Sequence, residues 1–258
     1  MQDGGAFKES GSASPETPER PAWRRPADTG AGWQPVEAVP VFVVAALLTV
    51  AASLPLATFA SRSVATGVSY VIFPVVLGLS VLATVLLFHR ASLRGLGWPR
   101  HPLRELALGF LLGIGLYLVV GLVVGGLLAV LLSALSGEAA SPPPQLPSDL
   151  SGAALVLVGA SVLMAACSEE LFFRAFLFRS LRRRHGFLYA GLLSSAIFGA
   201  FHYIPAEWED TVFLMAVIFF VGLGLAAMCE RRDNVAVSMG AHAAFNVIGF
   251  ALIVLAPG

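Results

Sequence analysis

Charge is scarce in this chain. Charged residues make up 12% of its 258 residues, against about a quarter in a soluble domain, and this excludes an ordinary water-soluble fold. The formal charges cancel, so no net basic surface is offered to nucleic acid. Cysteine is nearly absent. Cys167 and Cys229 both sit in apolar runs, which excludes a disulfide scaffold and predicts buried, reduced thiols. With an apolar surrounding and no histidine as sequence neighbour, Cys167 is a poor nucleophile. A Gly-rich phosphate loop, an internal repeat and a His-Glu-x-x-His zinc motif are also missing. No cleavable signal peptide is expected, because the first apolar run starts near Val39, after a polar stretch too long for a signal's leading segment.

What the chain has instead is hydrophobicity, at 57% of its residues. Residues 1–35 are Gly, Ser, Pro, Glu and Arg with almost no large aliphatic side chain. Such a segment cannot bury enough apolar surface to offset its ordering entropy and reads as a disordered tail. Residues 36–258 read as a transmembrane domain, since a helix needs about 20 apolar residues to cross a bilayer. The expected spans are 39–60, 64–88, 106–134, 152–178, 187–205, 211–229 and 235–256, giving an all-α, polytopic bundle of about seven helices. Pro55 and Pro74 are expected to kink the first two spans. Only Ser61, Arg62 and Ser63 separate those two, whereas the Pro-rich loop 136–150 is a clear interruption.

Arginine placement orients the bundle. Fourteen of the sixteen basic residues fall in the tail (Lys8, Arg20, Arg24, Arg25) or on alternate connections: Arg90 to Arg104, Arg179 to Arg184, and Arg231 with Arg232. The opposite connections carry Arg62 and the acids Glu138, Asp149, Glu207, Glu209 and Asp210. The positive-inside rule then predicts a cytoplasmic N-terminus and an external C-terminus. His89, His101 and His185, next to arginines, read as solvated, and Trp33, Trp98 and Trp208 as interfacial anchors. In the third span Gly109, Gly113, Gly121 and Gly125, with Tyr117 in the same i+4 series, read as a packing seam.

Inside the apolar spans sit residues that membranes normally exclude: Glu169, Glu170 and Arg174, then His202, then His242 and Asn246. A charge at the bilayer centre costs roughly 2.5–3.5 kcal/mol on insertion scales, so such groups usually face a cavity and carry function. Glu169 precedes Arg179 by ten residues and His242 follows Arg232 by ten. At 1.5 Å per residue both lie ~15 Å from that boundary, about mid-membrane. Glu169 and His202 are placed symmetrically about His185-Gly186, which predicts a common depth on adjacent antiparallel helices. Glu170 and Arg174 are i, i+4 and can pair, as can His242 and Asn246 on one face. Glu169, rotated about 100° from Glu170, need not share its role.

The runs Glu169-Glu170-Leu-Phe-Phe-Arg174, Phe198-Gly-Ala-Phe-His202 and His242-Ala-Ala-Phe-Asn246 resemble the three motifs of the CPBP intramembrane proteases. That family includes the type II CAAX prenyl endopeptidases and bacteriocin-processing or immunity relatives. The resemblance extends over about 105–255 and implies a CAAX protease-like core. It also implies that Glu169 with His202 activates a water, that His242 and Asn246 stabilise the oxyanion, and that Glu170 with Arg174 forms a supporting ion pair. Phe172, Phe173 and Phe198 read as packing. Glu169, His202 and His242 are also residue types that hold zinc or another divalent metal, and the sequence leaves that open.

The reading favoured is an intramembrane endopeptidase acting on a membrane-associated peptide or protein within the lipid bilayer. A multi-pass position in a bacterial plasma membrane is expected from the Ala-, Gly- and Arg-rich composition. Two alternatives are a proton-coupled transporter, disfavoured by the lack of an inverted repeat, and a catalytically silent immunity or scaffold relative. The topology is testable: an impermeant thiol reagent added outside should label Asp210→Cys and not Arg183→Cys, and labelling of position 183 would overturn the orientation.

Overall fold

A computed structural model of the chain describes residues 32–59, 61–141, 143 and 152–255. Most of the expected tail and most of the Pro-rich loop therefore lie outside the described residues. Among the described residues there are helices and no strands. In hydrocarbon every backbone polar group must be satisfied within its own segment, and a helix does this. The longer helices are α1 (Ala38–Ser53), α2 (Arg62–Phe88), α3 (Pro102–Ser136), α4 (153–185), α5 (187–200), α6 (Trp208–Arg232) and α7 (Val235–Leu255). Their outer faces are apolar, as Leu111, Leu127 and Val130 at 66–71% exposure show, which suits contact with lipid.

Six helical stretches are long and apolar enough to cross a membrane, because α4 and α5 run on as one stretch from Ala153 to Ala200. Gly186 divides that stretch: its φ of 83° and ψ of 173° are not helical, and positive φ is cheap only for glycine. The chain turns back there. Phe173 and Phe198 have ring centroids 4.9 Å apart, although 25 residues of straight helix would separate them by ~37 Å. Divided at Gly186, the six stretches make seven helical segments, the one after Gly186 being the shortest. Contacts between helices give matching directions. Gly67 faces Ala154 and Gly78 faces Ser168, so α2 and α4 run parallel; Gly109 faces Val237 and Gly113 faces Ala241, so α3 and α7 do too.

The α3–α7 seam is very close. A methyl group added at Gly109 or Gly113 would overlap the carbonyl oxygens of Val237 and Ala241, and one at Gly240 would overlap that of Leu106. The rest of the expected glycine series does not join the seam. Residues Tyr117–Val124 form a π-helix, whose wider turn rotates later residues off the i+4 line. Gly121 consequently faces its own Tyr117 ring, while Tyr117 itself packs against Phe245 of α7.

Several boundary residues differ from expectation. The first expected span is interrupted at Pro55, between Ser53 and a short helix, Leu56–Phe59, whereas Pro74 lies inside α2. Trp33 is not an interfacial anchor: it is 1% exposed, donates its indole N–H to the Phe176 carbonyl at 3.0 Å, and stacks on the Phe176 ring. His89 is not simply solvated, since its Nε2 lies 2.6 Å from Glu37. The arginines of one bundle end tie helices together, Arg179 to Asp233, Arg182 to Glu230 and Arg232 to Glu105. Cys229 is buried as expected, but Cys167 is exposed, because it turns away from the α4 face that meets α7.

The seam yields a prediction. Gly240→Leu should lower unfolding stability in detergent micelles by roughly 1–3 kcal/mol or more, as overpacking does, and an unchanged unfolding midpoint would contradict the α3–α7 contact.

Candidate active site

The site forms where α4, α5 and α7 meet. On α4, adjacent residues project about 100° apart, and the two glutamates separate accordingly. Glu170 points into the protein and is fully buried, while Glu169 reaches a cavity. A buried carboxylate must be paired, and Glu170 is paired twice. Its Oε1 lies 3.0 Å from Arg174 Nη1 and 3.0 Å from His242 Nδ1. Arg174, 1% exposed, also donates to the Gly222 carbonyl of α6 at 3.2 Å. Its guanidinium carbon stands 4.3 Å from the centroid of the Phe198 ring, within cation–π range. Arg174 lies in a π-helical stretch, Leu171–Phe178, a feature often found at functional sites.

His242 sits between the two carboxylates. Since a carboxylate can only accept, Nδ1 donates to Glu170, and Nε2 faces Glu169 Oε2 at 3.8 Å. That distance is too long for a hydrogen bond. Glu169 Oε2 is buried and has no hydrogen-bond partner among the described residues, so this polar atom is oriented but unsatisfied. His202 ends the α5 limb. Its Nδ1 lies 2.9 Å from the Phe198 carbonyl, so Nδ1 is the donor, and in the tautomer with its proton there Nε2 is the acceptor. Phe198 is more than packing, because its ring touches Arg174, His202 and His242.

The cavity has a volume of about 910 Å³, and its wall includes Glu169, His202 and Asn246. The common depth predicted for Glu169 and His202 is therefore met, in the same register that brings Phe173 to Phe198. Asn246 sends its Nδ2 towards the Val162 carbonyl at a long 3.5 Å, leaving it able to turn to another acceptor. His242 and Asn246 are not side by side on the wall: His242 is 3% exposed and lies behind Glu169. Nor do the metal-type residues gather, for among the described residues no three His, Cys, Asp or Glu side chains form a metal-holding group. The α2 wall, with Phe73 and Pro74 near its floor, was not foreseen, because α2 carries no motif.

Residues 151–248 match the family model described as Rce1-like, type II CAAX prenyl endopeptidase Rce1-like. No curated protein and no solved structure gives a significant match to the chain.

The buried pair makes a direct prediction. Glu170→Gln strands the Arg174 charge, which should lower unfolding stability by ~3–5 kcal/mol, and unchanged thermal unfolding in detergent would refute the pairing. All three motifs and every residue of the polar cluster fall within the matched segment, so residues 151–248 form a segment similar to the Rce1-like type II CAAX prenyl endopeptidases, a family of membrane proteases.

Proposed function

We propose that the protein is an intramembrane endopeptidase that hydrolyses a peptide bond of a membrane-associated peptide or protein, with Glu169 as general base. One observation carries this reading: a buried carboxylate oxygen of Glu169 without a hydrogen-bond partner, on a cavity that also holds His202 and Asn246. Amide hydrolysis needs a base, a positioned water and a stabiliser for the oxyanion. In this scheme a water donates one hydrogen bond to Glu169 and one to the free Nε2 of His202. Glu169 takes the first proton as the water oxygen adds to the carbonyl carbon. The oxyanion accepts from Asn246 Nδ2. The proton on Glu169 then passes to the amide nitrogen as the C–N bond breaks, releasing a carboxylic acid and an amine, between which the acid's proton is then transferred.

His242 has a different part in this scheme from the one the sequence suggested. Lying behind Glu169 and held through Nδ1 by Glu170, it is a positioning residue that sets the orientation and charge environment of the base. The route runs through side chains alone. Zinc or another divalent ion bound by Glu169, His202 and His242 would require those three to move together.

Purified full-length protein in nanodiscs, tested on a peptide library with and without a chelator, checks the proposal. Glu169→Gln should abolish turnover while the protein stays folded. Asn246→Ala should lower kcat by about 10²–10³ with little change in KM, the usual cost of one oxyanion donor. Chelation should leave activity intact; loss restored by added zinc would assign a metal instead. Wild-type turnover in Glu169→Gln would remove the proposed mechanism.

A further inference from the structure

The cavity does not open towards the arginine-rich end of the bundle. Its wall runs from Glu169 through the first half of α4 (Val158), the first half of α2 (Arg62, Thr66, Ser69) and the second half of α7 (Phe250). All of these lie between mid-bundle and the opposite end. Helices α2 and α7 each pack on α4 but make at most marginal contact with each other, so the cavity occupies the V between them. The two sides of the V differ chemically. Arg62, Thr66 and Ser69 follow one another at i, i+4 and i+7 along α2, a single polar stripe, while α4 and α7 contribute mainly apolar side chains such as Val158, Val162, Phe250 and Ile253 beside Ser161 and Asn246.

Arg62 stands at the mouth of this V. It is exposed and opens α2 just after Ser61, whose hydroxyl accepts from the Val64 N–H. No carboxylate among the described residues pairs with it. Glu169 lies next to Ser168, which faces Gly78, so sixteen residues of α2 separate Arg62 from the level of the Glu169 backbone. That is roughly 24 Å of helix, the length of about seven extended peptide residues.

We infer that Arg62 is a specificity-determining residue that receives a substrate carboxylate about seven residues from the scissile bond. The substrate's extended backbone then lies along the polar stripe and its apolar side chains against α4 and α7. A planar guanidinium suits this, because it can take a carboxylate through two parallel hydrogen bonds. The inference rests on the endopeptidase reading for its chemistry, but the binding it predicts does not require turnover.

The test uses full-length protein in nanodiscs and quenched fluorescent peptides in which a single Glu is moved stepwise away from the scissile bond. kcat/KM should peak with Glu about seven residues away. Arg62→Ala should raise KM for that peptide about tenfold, the value of one charge-assisted hydrogen bond, with kcat unchanged. Arg62→Glu should shift the preference to a peptide with Lys at the same place. Fluorescence anisotropy of the same peptides on Glu169→Gln protein should show the same charge swap without catalysis. If the swap appears in binding but no peptide is cleaved by wild type, the carboxylate site stands and the endopeptidase reading falls. Binding indifferent to peptide charge overturns the inference. So does an effect of Arg62 that depends only on anionic lipid in the nanodisc, since it would assign the residue to a headgroup.

Discussion

The candidate site depends on one buried interaction, the ion pair between Glu170 and Arg174. Neither residue reaches solvent, and an unpaired charge at that depth would cost several kcal/mol. The pair is tolerable because each member has further partners. Glu170 also accepts from His242, and Arg174 also donates to Gly222 and lies on Phe198. Those partners come from α7, α6 and α5. A single ion pair on α4 thereby fixes three neighbouring helices about itself, and its geometry reaches Glu169 through the next side chain along, His242.

The rest of the bundle keeps this arrangement in register. Gly109, Gly113 and Gly240 allow α3 to press on α7 just before His242, and the turn at Gly186 returns α5 so that His202 arrives level with Glu169. At the arginine-rich end, Glu105 joins Arg232 and Asn234, and Asn234 in turn accepts from the Val237 N–H. The start of α7 is thus anchored five residues before His242. Trp33 lies against Phe176, two residues beyond Arg174 in the π-helical stretch. Support for the polar cluster therefore comes mostly from residues that touch no cavity.

Much of this was legible in the sequence, because polar residues in apolar helices are rare and costly. The positions of Glu169, Glu170, Arg174, His202, His242 and Asn246, the pairing of Glu170 with Arg174, and the common depth of Glu169 and His202 all follow from spacing. Helix periodicity could not show what happens between helices. It placed His242 and Asn246 on one face, yet tertiary packing puts one behind Glu169 and the other on the cavity wall. It extended the glycine series past Tyr117, where a π-helix breaks the period. It read Trp33 as interfacial, and Arg179 and Arg182 as part of a charged connection, although Phe176, Asp233 and Glu230 draw them into the protein. The role of α2 was invisible, since a polar stripe of Arg, Thr and Ser carries no motif.

The Glu170–Arg174 pair supports the fold as a pair, while Glu170 separately holds His242 beside Glu169. The most direct measurement is a double-mutant cycle with Glu170→Leu and Arg174→Met, reading unfolding free energy in detergent and kcat on a cleaved peptide. The account predicts strong coupling, ~3 kcal/mol or more, because the double variant leaves no stranded charge. It also predicts that the double variant stays far below wild-type kcat, since His242 has lost its carboxylate. Additive losses of stability, or a stable double variant with wild-type kcat, would contradict it.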